Sequence, residues 1–157
     1  THLKADQLND THSVINHNSD HTTGEQHYKG LYDGKSRGVF NGKVIVKPHV
    51  KHTVAHQSNH NLLLSDRAEM NTKPELQIYA EDVQCSHGAT IGQLDGAALF
   101  YLQARGIPQA QAQHMLTCAF ANSVLEQFSN SILSDYMQNY FTQLLSNKNC
   151  VGECQHE

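Results

Sequence analysis

Three short apolar runs place the strongest constraint on what this chain can fold into. Val44-Ile45-Val46, Leu62-Leu63-Leu64 and Leu76-Gln77-Ile78 follow one another at unequal intervals, the second shorter than the first. No helical pattern lies between them, and Asn, Asp, Gly and Pro fill the gaps. That rhythm predicts a coiled ribbon of β-strands in which each turn stacks on the one before. A β-sandwich fits the irregular period almost as well.

Upstream, Thr1 to Asp33 is rich in His, Asn, Asp and Thr and carries only isolated apolar residues. With no helical stripe, it reads as short strands and turns. Asp33-Gly34 supplies turn chemistry. Asn41-Gly42, set between apolar residues, predicts a hairpin or a corner between unpaired strands, because both residues tolerate positive φ. His49, His52, His56 and His60 follow at spacings of three and four. On a helix they would share a face and could hold zinc or nickel. The segment is poor in helix formers, however, and a polar, solvated connection is the favoured reading.

Pro74 to Ala80 alternates apolar and polar residues as a half-buried strand does. Just beyond it stand Cys85 and His87, two residues apart and ahead of Gly88. On an extended segment both side chains leave one face, about 7 Å apart along the backbone. The pair is either half of a metal site or a buried Cys beside a hydrogen-bonded His, and spacing alone favours the second. A thiol nucleophile with its base is disfavoured, since side chains two apart on a strand run parallel.

From Leu94 the pattern changes to amphipathic helices. Asp95 is suited to an N-cap, Arg105 and Gly106 to a stop, and Pro108 to the next helix start. Met115, Leu116, Ala119, Phe120, Val124, Leu125 and Phe128 recur at helical spacing. Asn130 or Ser131 is placed to cap a third helix, whose stripe runs from Ile132 to Leu145. That stripe is wide enough to serve as core while leaving an apolar edge for a partner. The polar tail holds Cys150, Cys154 and His156, three donor groups without the apolar surroundings of a closed zinc site. The reading divides the chain into strands over 1–94 and helices with a polar tail over 95–157.

At 157 residues the chain is one ordinary domain or two small units. A net charge of −4 with no basic run argues against nucleic acid as the partner, and no apolar stretch approaches a membrane span. Four scattered cysteines suit a reducing compartment. A first residue of Thr, amid polar strand-like sequence, suggests a piece of a longer protein. Phosphate-binding glycine loops and the Gly-x-Ser-x-Gly elbow are missing from the sequence.

Val39-Phe40-Asn41-Gly42, Asn61-Leu62-Leu63-Leu64 and Thr72 to Ala80 follow one another in an order and spacing that resembles the SufB/SufD family of iron–sulfur cluster assembly proteins. Cys85-Ser86-His87-Gly88-Ala89-Thr90 and Leu99 to Ile107 extend the resemblance, which covers about residues 37 to 125. The Cys-Ser-His-Gly-Ala-Thr block lacks the acidic neighbours of the SufB branch and is similar to the SufD branch near its C-terminus.

The resemblance implies a right-handed parallel β-helix, of which 1–94 is the C-terminal part, followed by a small helical domain over 95–157. It implies a non-catalytic scaffold in the cytoplasm that pairs with a SufB-like paralogue and docks a SufC-like ABC ATPase, with a homodimer in isolation. No cofactor is expected to bind tightly to the chain alone; a transient Fe–S cluster is expected at the interface with the paralogue. His87 carries over as the functional residue and interface iron ligand, and Cys85 matches the motif cysteine. Neither the His49–His60 run nor Cys150 and Cys154 inherits a role. The competing expectation, resting on twelve histidines, is a stand-alone metal-binding β-domain.

Overall fold

The computed structural model describes residues 1–125 and 131–146. Two compact units emerge, Thr1–Gln93 and Leu94–Glu157. In the first, the strands are β1 (His2–Leu3), β2 (Leu8–His17), β3 (Thr23–Tyr32), β4 (Arg37–Val46), β5 (Thr53–Leu63), β6 (Glu69–Ile78) and β7 (Val83–Gly92). Odd and even strands separate into two parallel sheets, ordered β1-β3-β5-β7 and β2-β4-β6. Each coil of the chain therefore contributes one strand to each sheet, and the result is a β-solenoid of about three turns.

Register fixes the length of a coil. Leu8 pairs with Arg37, and Arg37 in turn with Glu69. In the other sheet Thr23 pairs with Val54, and Thr53 with Val83. Side chains that meet across a ladder measure the repeat. His12 and Asn41, register partners in one sheet, are separated by 29 residues. Gln26 and Gln57, partners in the other, are separated by 31 residues. Val44 and Leu76 are register partners, whereas Leu62 lies in the opposite sheet. The unequal intervals between the apolar runs are thus two unequal parts of one coil.

Alternation along β4 shows how the sequence builds the wall. Gly38, Phe40, Gly42, Val44 and Val46 are buried, while Val39, Asn41, Lys43 and Ile45 face the other way. Tyr32, Phe40, Ala68 and Met70 form the core cluster, and Leu3, Tyr28 and Leu63 pack against it. The Tyr28 and Phe40 rings sit 4.6 Å apart. Two glycines make this packing fit. A Cβ on Gly38 would lie 2.4 Å from the Tyr32 ring, and one on Gly42 would lie 2.6 Å from that of Phe40.

Asn41-Gly42 is therefore neither a hairpin nor a corner. It lies mid-strand, where Gly42 yields space to the Phe40 ring and to Gln57. The corners fall elsewhere, at Asp33-Gly34, where Gly34 has φ +71°, and at Ala5, His21, His49 and His52, all with positive φ. Histidine enters the left-handed region more readily than most residues. The segment between the first two apolar runs is consequently no solvated linker, because its second half is the eleven-residue strand β5.

In the second unit, α1 (Gly96–Ala104) begins where Asp95 Oδ1 accepts from the Ala97 N–H at 2.9 Å. It ends at Arg105 and at Gly106, which has φ +83°. Pro108 then caps α2 (Gln109–Asn122), which buries Ala112, Thr117 and Ala121. The third helix, α3, spans Ser131–Ser146, so Ser131 is its first residue and Asn130 lies outside the described residues. Its stripe is divided: Leu145 is buried, while Ile132, Leu133, Tyr136 and Tyr140 are exposed.

Candidate functional site

The last coil places Cys85 and His87. Cys85 is the register partner of Ala55, which in turn pairs with Gly24; His87 partners Gln57, which pairs with Gln26. Ala55 and Gln57 are buried. Both motif side chains therefore belong to the lumen-facing side of β7, the last strand of its sheet among the described residues. Cys85 is half-buried and His87 is exposed. Burial pushes the Cys85 thiol above its ordinary range, and a hydrogen bond with the Ala55 backbone opposes that shift. The thiol is thus held in its protonated, weakly nucleophilic form. A Cβ on Gly88 would meet nothing within 4 Å, so the approach beside His87 is open.

A thiol and an imidazole on one face are two donors, fewer than a closed site takes. Among the described residues no group of three or more His, Cys, Asp or Glu converges on one point. Chemically, the pair can present one nitrogen and one sulfur ligand at an open coil end and take the remaining ligands from another chain.

The histidine run resolves into two kinds of residue. His49 and His52 stand at the corner between β4 and β5, and His52 Nδ1 reaches Asp82 at 2.9 Å. His56 and His60 point away from the lumen, their Nδ1 atoms 2.7 Å from Ser86 Oγ and 2.8 Å from Thr90 Oγ1. His27 repeats the arrangement one coil earlier with Ser58 Oγ at 2.7 Å. Each of these three imidazoles leans on a hydroxyl of the next coil, and the four residues of the run form no common helical face. Cys150, Cys154 and His156 lie outside the described residues. Cys118 sits on α2, 3.5 Å from His114 Nε2.

Sequence reasoning overlooked Gln26, Gln57 and Asn59, polar residues buried inside the solenoid. Gln57 Nε2 donates to Gln26 Oε1 at 2.6 Å, beneath the position of His87. The signal that could have found the rung is the recurrence of glutamine at an offset of 31 residues, one coil, on neighbouring strands. On the three-stranded sheet a separate cleft of about 320 Å³ is lined by residues including His12, Asn41, Lys43, Lys73 and Glu75.

The family described as SUF system FeS cluster assembly, SufBD core domain, matches residues 1–120. An iron-sulfur cluster assembly SufBD family protein of Synechocystis is 47% identical over 127 residues, covering 81% of this chain and 28% of that protein. The iron-sulfur cluster assembly protein SufD of Escherichia coli is 44% identical over 117 residues, covering 74% and 28%. Protein ABCI7, chloroplastic, of Arabidopsis thaliana is 40% identical over 141 residues, covering 89% and 30%. The chain thus spans less than a third of the length of these relatives.

Proposed function

The chain belongs to the SufBD core family of the iron–sulfur cluster assembly system, and from that premise we propose that it is a non-catalytic scaffold segment whose last coil pairs with a SufB-like paralogue. The observation that carries this reading is the state of β7. Among the described residues it ends its sheet, is paired only with β5, and holds Cys85 and His87 on its lumen-facing side. A free strand edge accepts a second chain through its backbone groups, which brings partner side chains beside its own. His87 then supplies a nitrogen to iron, and the paralogue contributes the other ligands. The cluster is cargo, built at the joint and passed on. Cys85, its thiol kept protonated by burial, packs beside the joint.

The helices are assigned to a SufC-like ATPase. Phe100 and Tyr101 on α1, with Ile132, Tyr136 and Tyr140 on α3, are exposed apolar anchors of the type that dominate protein interfaces. Among the described residues no helix is long and apolar enough to cross a membrane. A cytoplasmic setting suits the scaffold. The stand-alone metal-domain alternative draws nothing from the 49–60 run, whose histidines do not converge.

Co-expression of the protein with SufB-like and SufC-like partners tests the assignment. The His87→Ala variant is expected to co-purify at wild-type stoichiometry and melting temperature while the complex fails to accumulate a cluster in cells. Normal iron–sulfur maturation by that variant at wild-type expression would falsify the role of His87. Loss of the protein to aggregation would make His87 a packing residue instead.

A further inference from the structure

The Gln26–Gln57 rung is incomplete on one side. Gln57 is 2% exposed and Gln26 is 9% exposed, and the Gln57 amide is oriented by donating Nε2 to Gln26 Oε1 at 2.6 Å. Its own oxygen, Oε1, is sealed from solvent and bonds nothing. An amide oxygen left unpaired inside a protein costs stability, so a donor that can reach it is favoured there. On the same face of β5, Ala55 has no polar side-chain atom, and the Asn59 oxygen accepts from the Asn61 amide. One coil further on, at the same register position and on the same face, stands His87. In-register strands lie about 4.8 Å apart, within the reach of an imidazole turned into the lumen.

We propose that Gln57 is the positioning residue for His87: its buried amide oxygen takes one ring N–H, which leaves the other ring nitrogen facing out of the coil with its lone pair free. The inference rests on the reading of His87 as the functional residue and adds the group that orients it. An imidazole that donates one N–H inward is held in a single tautomer and a single orientation, the arrangement that makes histidine a good metal ligand. The same column explains why the thiol differs. Cys85 lies over Ala55 and Gly24, which carry no polar side-chain atom, so no side chain in the lumen orients it.

Gln57→Met keeps the volume and removes the oxygen. In the full-length wild-type protein, the ring ¹⁵N shifts of His87 are expected to report one dominant tautomer, and in Q57M a mixture. In the assembled complex Q57M is expected to lower retained iron about tenfold, the scale of one lost hydrogen bond. In an H87A background Q57M should have no further effect. If Q57M aggregates, Gln57→Asn draws the amide back by one methylene and carries the same expectations. An unchanged tautomer in the variant overturns the proposal, and so does a tautomer shift without loss of iron. Wild-type iron retention by H87A alone would instead remove the functional reading, and the ring shifts would still decide the Gln57 contact.

Discussion

Gln57 and His87 occupy one register position in consecutive coils, and Ala55 and Cys85 another. In the inner coil these residues are sealed, at 2% and 1% exposure; in the last coil Cys85 is half-buried and His87 lies open. The backbone treats the two coils alike, with the same parallel ladder on the side they share. What differs is that the inner coil is covered by another and the last is not. A solenoid thereby converts packing positions into chemical ones by ending. The lumen column that holds an amide rung in the interior presents an imidazole at the terminus.

The contrast makes the inner coils intolerant of change and the last coil permissive, and four substitutions test it. Phe40→Ala, at 2% exposure in the core cluster, is expected to cost about 3–5 kcal/mol by chemical denaturation. Ile91→Ala on β7, at 45% exposure, should cost less than about 1 kcal/mol. Similar losses from the two would mean that the last coil is as firmly packed as the rest.

A methyl group added to glycine discriminates the coils again at smaller amplitude. Gly38→Ala drives a Cβ to 2.4 Å from the Tyr32 ring and 2.5 Å from Met70 Sδ, an overpacking expected to cost about 1–3 kcal/mol. Gly88→Ala meets nothing within 4 Å and is expected to leave the melting temperature unchanged or slightly raised.

Acidification sharpens the comparison on the outer face of β5. His60 is pushed below its ordinary pKa of 6.5 by desolvation first, then by Lys29 and His27. The unfolded chain therefore takes the proton more readily than the folded one. Stability tied to neutral His60 is present above about pH 6.5 and is lost as pH falls through the lowered folded value. Melting scans from about pH 7.5 to about pH 5.5 should show a smaller acid loss in His60→Asn than in wild type. An equal loss would place the sensitivity in other groups.

Much of the architecture was legible in the sequence, because strand signals, turn residues and helix caps are local. Asp33-Gly34, Asp95 and Gly106 act as their chemistry predicts. Asn41-Gly42 misled for a tertiary reason: the glycine serves a neighbouring aromatic ring, and nothing local distinguishes that use from a turn. The histidine run was rightly denied a helix but wrongly read as a solvated connection, because its polar residues are set on positive-φ corners and on the alternating faces of β5. Cys85 and His87 could be picked out by type and by the family resemblance. That they share a lumen face with Gln57 could not, since their partners lie a full coil away and become neighbours only once the coil length is known.

The unequal coils carry a lesson for anyone who wishes to splice into this protein. Paired strands keep step while their coils differ in length, with 29 residues from His12 to Asn41 and 31 residues from Gln26 to Gln57. The slack is absorbed at the bends. An extra residue inside a strand would exchange inward for outward side chains along everything that follows it up to the next corner. An insertion at Lys47–His49, three consecutive exposed residues between β4 and β5, disturbs no such parity. A peptide tag or fluorophore site placed there should leave every ladder in step, and would report on the solenoid from a position remote in sequence from His87.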